Sequence, residues 1–217
     1  MVQTKARAHQ RYKTSDGRPC VGVTTVLGVM AKPALVKWAN KLGLDGYDVD
    51  KWVDALAQIG TLIHYMVECD IKEEKPNFSD SSPNQISAAE NAFIKWLMWR
   101  DKNKFELIGS EMQLVSESLE YGGTLDIFAK VNGVPTVLDI KTSKGVYSEQ
   151  RTQVVAYKKL LQENGHDVRD SRVIRIGRDE NEGFDDILIG GEDLHWTRFL
   201  ACLNLYRANK NVENAGA

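Results

Sequence analysis

The dipeptide Asn132-Gly133, standing between the runs 123–131 and 134–141, limits what this chain can fold into more than any other feature. Both central residues of the tightest hairpin turn need positive φ, which Asn and Gly supply, so the two runs are expected to pair as antiparallel strands. Residues equidistant from the turn then lie opposite each other: Asp126 faces Asp139, and Thr124 faces Lys141. Side chains alternate along a strand, so Asp126, Asp139 and Lys141 share one face while Leu125, Ile127, Leu138 and Ile140 occupy the other. Opposed residues hold their Cβ atoms roughly 4.5–5.5 Å apart, a spacing at which like charges repel. A shared proton, a neighbouring lysine or arginine, or a divalent cation offsets such a repulsion. The hairpin alone does not choose between a patch ion-paired through Lys141 and a metal site.

Helical periodicity dominates before this hairpin. Residues 10–29 read as a smaller hairpin, with Asp16-Gly17 as its turn and Val21-Gly22-Val23 as the returning strand, closing at Thr24-Thr25. Pro33 opens a helix to about 42, a longer one covers 49–71 with Gly60 as an interruption, and a third covers 85–103 after a polar loop containing Pro76 and Pro83. Strands are expected at 107–116, 123–131 and 134–141, a helix over 148–163, strands at 172–177 and 186–189, and a closing helix over 193–208. This order predicts an α/β fold with a mixed central sheet flanked by helices. A chain of 217 residues fills one core comfortably and two poorly. One domain is therefore expected: a basic arm and hairpin (1–20), a helical elaboration (33–105), a core (106–191) and a C-terminal helix (192–209).

Composition excludes more than it assigns. No apolar run approaches the roughly 18 residues of a membrane span. Cys20, Cys69 and Cys202 are odd in number and far apart, which fits neither a disulfide framework nor a CxxC metal site and points to a reducing, intracellular setting. Lys5, Arg7, Arg11 and Lys13 form a basic arm with no apolar segment behind it to make a secretory signal; a short organelle-targeting segment is the alternative. The net charge of −2 leaves nucleic-acid binding to local segregation of the 28 basic residues.

Several stretches, taken in order, resemble the PD-(D/E)XK nuclease superfamily in its RecB-like branch. They are GTLIH from Gly60 to His64 (the branch's GxxxH helix), Glu111 in the place of the preceding-strand acid, GGTLD from Gly122 to Asp126, LDIKTSK from Leu138 to Lys144, and QVVAY from Gln153 to Tyr157 (QxxxY). The segments VGVTTVL and KPALVKWA are similar to those of phage-encoded exonucleases of the branch. No proline precedes Asp126, where this branch commonly carries Gly-x-x-Asp, and the cysteine quartet of its iron–sulfur members is missing, so no such cluster is expected. The resemblance implies a restriction-endonuclease-like core and hydrolysis of DNA, single-stranded or with a free end, using one or two Mg²⁺ or Mn²⁺ ions. His64, Glu111, Asp126, Asp139 and the Ile140 carbonyl are the implied metal ligands, and Asp126, Asp139, Lys141 and Gln153 the implied catalytic set. It further implies a role in phage or bacterial recombination, replication or repair, with a partner protein from one of those processes, in the cytoplasm of a bacterial or phage-infected cell.

Each residue also has a plainer reading. His64 follows Gly60 by one helical turn, so a small residue lies beneath it where another backbone or a DNA strand could approach. A solitary histidine is ordinarily a core or surface residue, and the company of acids makes it a ligand candidate, with imidazole suiting manganese or iron better than magnesium. Glu68 lies on the same face as an outer partner. Glu111 has Glu117 and Glu120 as rivals, and Gly122-Gly123 permits the chain to turn between them and Asp126. Gln153 and Tyr157 share one helix face and by themselves read as a capping amide and a half-buried tyrosine. Beside carboxylates Lys141 is expected to stay charged, as a fixed cation and not a base. Tyr157, Arg151, Lys144, Lys158 and Lys159 are candidates to contact a strand backbone, although a solvated helix face accounts for at least two of Arg151, Lys158 and Lys159. Trp38, Trp52, Trp96, Trp99 and Trp196 are expected in the core. The competing readings are a structure-specific or nicking endonuclease, a non-cleaving DNA-binding protein on the same fold, and a metal-dependent phosphohydrolase of nucleotides; for the last, no GxxxxGK[ST] pattern is present.

Overall fold

The protein is described by a computed structural model over residues 12–178 and 182–216; Lys5, Arg7 and Arg11 of the expected basic arm lie outside these. The elements are β1 (Tyr12–Lys13), β2 (Pro19–Gly22), α1 (Val23–Leu27), α2 (Pro33–Leu44), α3 (Val49–Ile71), α4 (Pro83–Lys102), β3 (Phe105–Ser116), β4 (Tyr121–Val131), β5 (Val134–Lys141), α5 (Ser148–Glu163), β6 (Asp170–Ile176), β7 (Phe184–Leu188) and α6 (Glu192–Ala215). Local chemistry sets many of these ends. The Asp48 carboxylate accepts from the Lys51 amide at the start of α3, and Ser82 and Gln85 form a capping box on α4 with Pro83 in its first turn. Val23 is helical and not, as expected, part of the returning strand. Val23, Val26 and Leu27 have the i, i+3, i+4 spacing of a one-sided apolar stripe, and all three are buried.

The strands form one mixed sheet of seven in the order β1-β2-β4-β5-β6-β7, with β3 on β4. This is the expected α/β architecture, a mixed sheet flanked by helices. One face packs on α3 and α4 through a cluster including Ile63, Met66, Trp96, Ile127, Leu138 and Ile140. The other packs on α1, α5 and α6 through Val26, Leu125, Phe128, Val137, Leu160 and Phe199. Trp96 and Trp99 are core residues as expected, whereas Trp52 is exposed.

Asn132 and Gly133 hold positive φ of 53° and 82°, and β4 pairs with β5 in the register anticipated from that turn, Val131 opposite Val134 through Ile127 opposite Leu138. There the pairing stops. The same edge of β4 is taken up again by β2, in parallel, at Tyr121 and Gly122. Neither β2 nor β5 pairs with β4 between these stretches, so β4 and β5 part as a fork immediately before Asp126 and Asp139.

Two expectations fail along β4. Leu125 packs with the α5 side and Ile127 with the α3 side, so the alternation that was to place both on one face breaks at Asp126. Gly122-Gly123 is not a turn: both residues are inside β4. A Cβ at Gly122 would stand 2.6 Å from the Tyr12 ring, and one at Gly123 would stand 2.5 Å from the Tyr157 ring. The glycine pair admits one tyrosine ring on each face of the sheet.

Gly123→Ala is therefore expected to cost about 1–3 kcal/mol by overpacking against Tyr157. Urea denaturation measures this, and an unchanged midpoint would contradict the packing described.

Candidate active site

At the fork the Ile140 amide, which would otherwise continue the ladder, donates to Asp126 Oδ2 at 2.8 Å. The carboxylate takes the place of a strand partner and is fixed by it. Glu111 lies opposite Asp126 on β3, between the pairs Ser110–Ile127 and Met112–Leu125. It holds φ at 54°, a left-handed conformation that costs a non-glycine residue on the order of 1 kcal/mol and that clusters at functional sites. From α3, His64 and Glu68 reach the same place. Together His64, Glu68, Glu111, Asp126 and Ile140 line one small recess with room for roughly one water or ion. Glu68 is ion-paired there with Lys72 at 2.6 Å.

Asp139 is 1% exposed, which disfavours its charge. Its carboxyl is pushed up to about 7, by burial first and then by Asp126, against the pull of Lys141. Lys141 Nζ lies 2.6 Å from Asp139 Oδ2 and partners it as a charged hydrogen-bond donor. Burial works against the charge on Lys141, but Asp139 and Asp126 outweigh it and hold the ammonium above the ordinary lysine range. The residue is a cation here, as anticipated. On α5, Gln153 donates to the Tyr157 hydroxyl at 2.9 Å and reaches Asp139 Oδ1 at 3.4 Å.

These groups suit a hard divalent ion in kind: carboxylates, a backbone carbonyl and one imidazole. Among the described residues no three His, Cys, Asp or Glu side chains are drawn in as a closed ligand set. They share a recess and its neighbouring wall.

Several sequence expectations are relocated. Glu117 accepts from the Ser15 amide at 2.8 Å and Glu120 is ion-paired with Arg18, so both rivals of Glu111 latch the N-terminal hairpin. Gly60 makes room for Thr142, whose Oγ1 would lie 2.5 Å from an added Cβ; the close approach is to this chain's own strand end, not to another backbone or to DNA. Lys158 is 7% exposed, ion-paired with Glu192 and bonded to the Arg169 carbonyl, which removes it from any strand-contacting surface. Tyr157 is likewise buried. Its phenol is raised well above its usual range, by burial first and then by Asp139 and Asp126, so it holds Gln153 as a neutral group. Lys144 is exposed and Arg151 partly so; Lys159 lies 5.9 Å over the Trp196 ring. Sequence reasoning missed Tyr12, which spans Gly122 and meets Thr124 Oγ1 at 3.0 Å. Only the consecutive glycines hinted at a ring on each side.

The chain is similar to the crystal structure of a candidate exonuclease from Eubacterium rectale, with TM-score 0.50 and 12% identity over 73% of this chain and 69% of that one. At that identity the likeness shows the fold alone. SSO0001, another solved structure, covers 70% of this chain and 74% of its own at 14% identity and TM-score 0.34, too loose a match to argue from. No protein-family model and no curated protein matches the sequence.

A carboxyl whose pKa is raised on folding favours the folded state while protonated. For Asp139 that contribution is complete below about 3.8 and is lost as pH rises through about 7. In metal-free buffer, the stability of Asp139→Asn relative to wild type should therefore climb from pH 5 to pH 8, by at most about 1.4 kcal/mol per pH unit. Denaturant midpoints at several pH values measure this; a difference that stays flat would contradict the burial of a strained charge.

Proposed function

We propose that this chain is a divalent-metal-dependent deoxyribonuclease, and that it degrades DNA from an end. The observation that carries the reading is the strand fork, where Asp126 is fixed by the Ile140 amide beside a buried Asp139 paired with a cationic Lys141. Asp126, Asp139, Glu111, His64 and the Ile140 carbonyl would hold one or two Mg²⁺ or Mn²⁺ ions. When bound, such ions acidify a water and neutralise charge on the phosphate being cut.

The chain's own groups supply the rest. Lys141 stands as a preset positive charge for the pentavalent phosphate, and its raised pKa opposes any role as the base. Gln153, braced by Tyr157, orients the attacking water or the lysine. The preference for ends rests on the resemblance of VGVTTVL and KPALVKWA to phage exonuclease segments, and the similar Eubacterium rectale protein, described as a candidate exonuclease, agrees with it. The setting that goes with this reading is DNA recombination, replication or repair in a phage or bacterial cell.

End-labelled linear DNA and covalently closed circular DNA, each incubated with Mg²⁺, Mn²⁺ or EDTA, test the proposal. Linear DNA should be degraded with either metal, circles spared, and activity lost in EDTA. Asp139→Ala and Lys141→Ala should each fall by at least about 100-fold. Cleaved circles would replace the exonuclease with an endonuclease; undiminished cleavage in EDTA or in both variants would overturn the metal-dependent reading altogether.

A further inference from the structure

α2 and the first part of α3 form a two-helix prong rooted on either side of the loop that leaves β5. One root is Lys32, at the start of α2, ion-paired at 3.3 Å with Glu149 in the first turn of α5. The other is Gly60 of α3, set against the Thr142 side chain just past the end of β5. Thr142 and Glu149 bracket the loop that follows Asp139 and Lys141, so the prong stands at the mouth of the fork. α3 meets the body at Gln58, bonded to Gln85 of α4 at 2.6 Å; before that, residues 50–55 are all exposed. Each helix carries an apolar stripe at i, i+3, i+4, i+7 spacing: Leu35, Trp38, Ala39 and Leu42 on α2, and Val49, Trp52, Val53 and Leu56 on α3. Stripes of this kind ordinarily close on each other in a helical hairpin, and these do not. No residue of α2 is buried, and Leu35, Trp52 and Val53 are exposed. Tyr47, exposed in the turn between the helices, meets the Trp52 ring edge-on with centroids 5.0 Å apart. Charge is segregated as well. Residues 31–44 include Lys32, Lys37 and Lys41 and no acid; Lys37 and Lys41 are exposed and, among the described residues, in no ion pair. Asp50 and Asp54 fall off the apolar stripe of α3.

We propose that this prong holds the bases of an unpaired DNA strand at the mouth of the fork, so that the end taken by the protein is single-stranded. Open aromatic and aliphatic stripes beside lysines without acids are matched by flat apolar bases on a polyanionic backbone. In a duplex the bases stack on one another, whereas each base of an unpaired strand offers a face to a Trp or Tyr ring. Tyr47 and Trp52 are the stacking pair, and Lys37 and Lys41 the phosphate contacts. Position favours this occupant over a protein, because both roots of the prong flank the loop leading from Asp139 and Lys141 to α5. The inference rests on the nucleic-acid reading above for its ligand, and not on cleavage itself. It adds Tyr47 and Trp52, which lie outside every motif.

The test is fluorescence anisotropy with a 5′-fluorescein-labelled oligodeoxynucleotide, single-stranded or annealed to its complement, in EDTA to prevent cleavage and from about 50 to 300 mM NaCl. Wild type should bind the single strand about 10-fold or more tighter than the duplex, a factor that one stacked base supplies. Tyr47→Ala and Trp52→Ala should each weaken single-strand binding by about 5-fold or more and leave duplex binding unchanged. Trp52→Phe should recover most of the loss, which separates stacking from a misfolded helix. Lys37→Gln and Lys41→Gln should flatten the log–log salt dependence by about 0.7 for each phosphate no longer neutralised. Lys210→Gln, an exposed position ion-paired with Glu213, serves as the equal-charge control. Absence of a single-strand preference, or variants indistinguishable from that control in affinity and slope, would overturn the proposal. So would a dimer in sedimentation velocity that Trp52→Ala dissociates with DNA affinity unchanged, since a second copy would then be what covers the prong. Wild-type protein that binds single strands in this way but cleaves nothing with Mg²⁺ or Mn²⁺ would sink the nuclease reading while supporting the prong as a strand-binding surface.

Discussion

The candidate site exists because β4 shares one edge between two partners. β5 pairs with its end and β2 with its beginning, and where neither reaches, the Asp126 carboxylate accepts the Ile140 amide that a continuing ladder would have used. A backbone donor left at a fork costs on the order of 1–3 kcal/mol if nothing receives it. Asp126 meets that need and is thereby held in one rotamer, its second oxygen directed by the same bond. The break in strand alternation at Asp126, the left-handed Glu111 on the adjoining strand and the approach of α3 all occur at this level of the sheet.

The packing around the fork explains why the arrangement survives its cost. Each face of the sheet has its own apolar cluster, so Asp139 can be buried without the core depending on it. The N-terminal hairpin is tied on by Glu117 and Glu120, and Tyr12 bridges from it to Thr124 at the open part of β4. On the opposite face Tyr157 fills the space over Gly123 and holds Gln153 toward Asp139. Two tyrosines on two glycines thus support the fork from both sides.

Much of this is legible in the residues. Asn132-Gly133 sets the hairpin register, α3 begins and ends where its pattern does, and the order of strands and helices follows the periodicity through to α6. What cannot be read is non-local. The parallel pairing of β2 with β4 joins residues about a hundred positions apart, and it takes up the edge of β4 that β5 leaves. Simple alternation therefore places Leu125 with Ile127, which lie on opposite faces. Lys158 looks like a surface cation by composition, yet its partner Glu192 comes from α6. For the site, residue type and spacing identify the acids and Lys141, whereas the choice of Glu111 over Glu117 and Glu120 requires the tertiary fold.

The central claim is that the fork holds a divalent cation through Asp126 and Asp139. Binding of Mn²⁺, followed by the loss of its free-ion electron paramagnetic resonance signal, addresses this without reference to any activity. Wild-type protein should take up one or two ions saturably, and Asp126→Asn and Asp139→Asn should each lose most of that uptake while remaining folded. Identical binding curves for wild type and both variants would contradict the account.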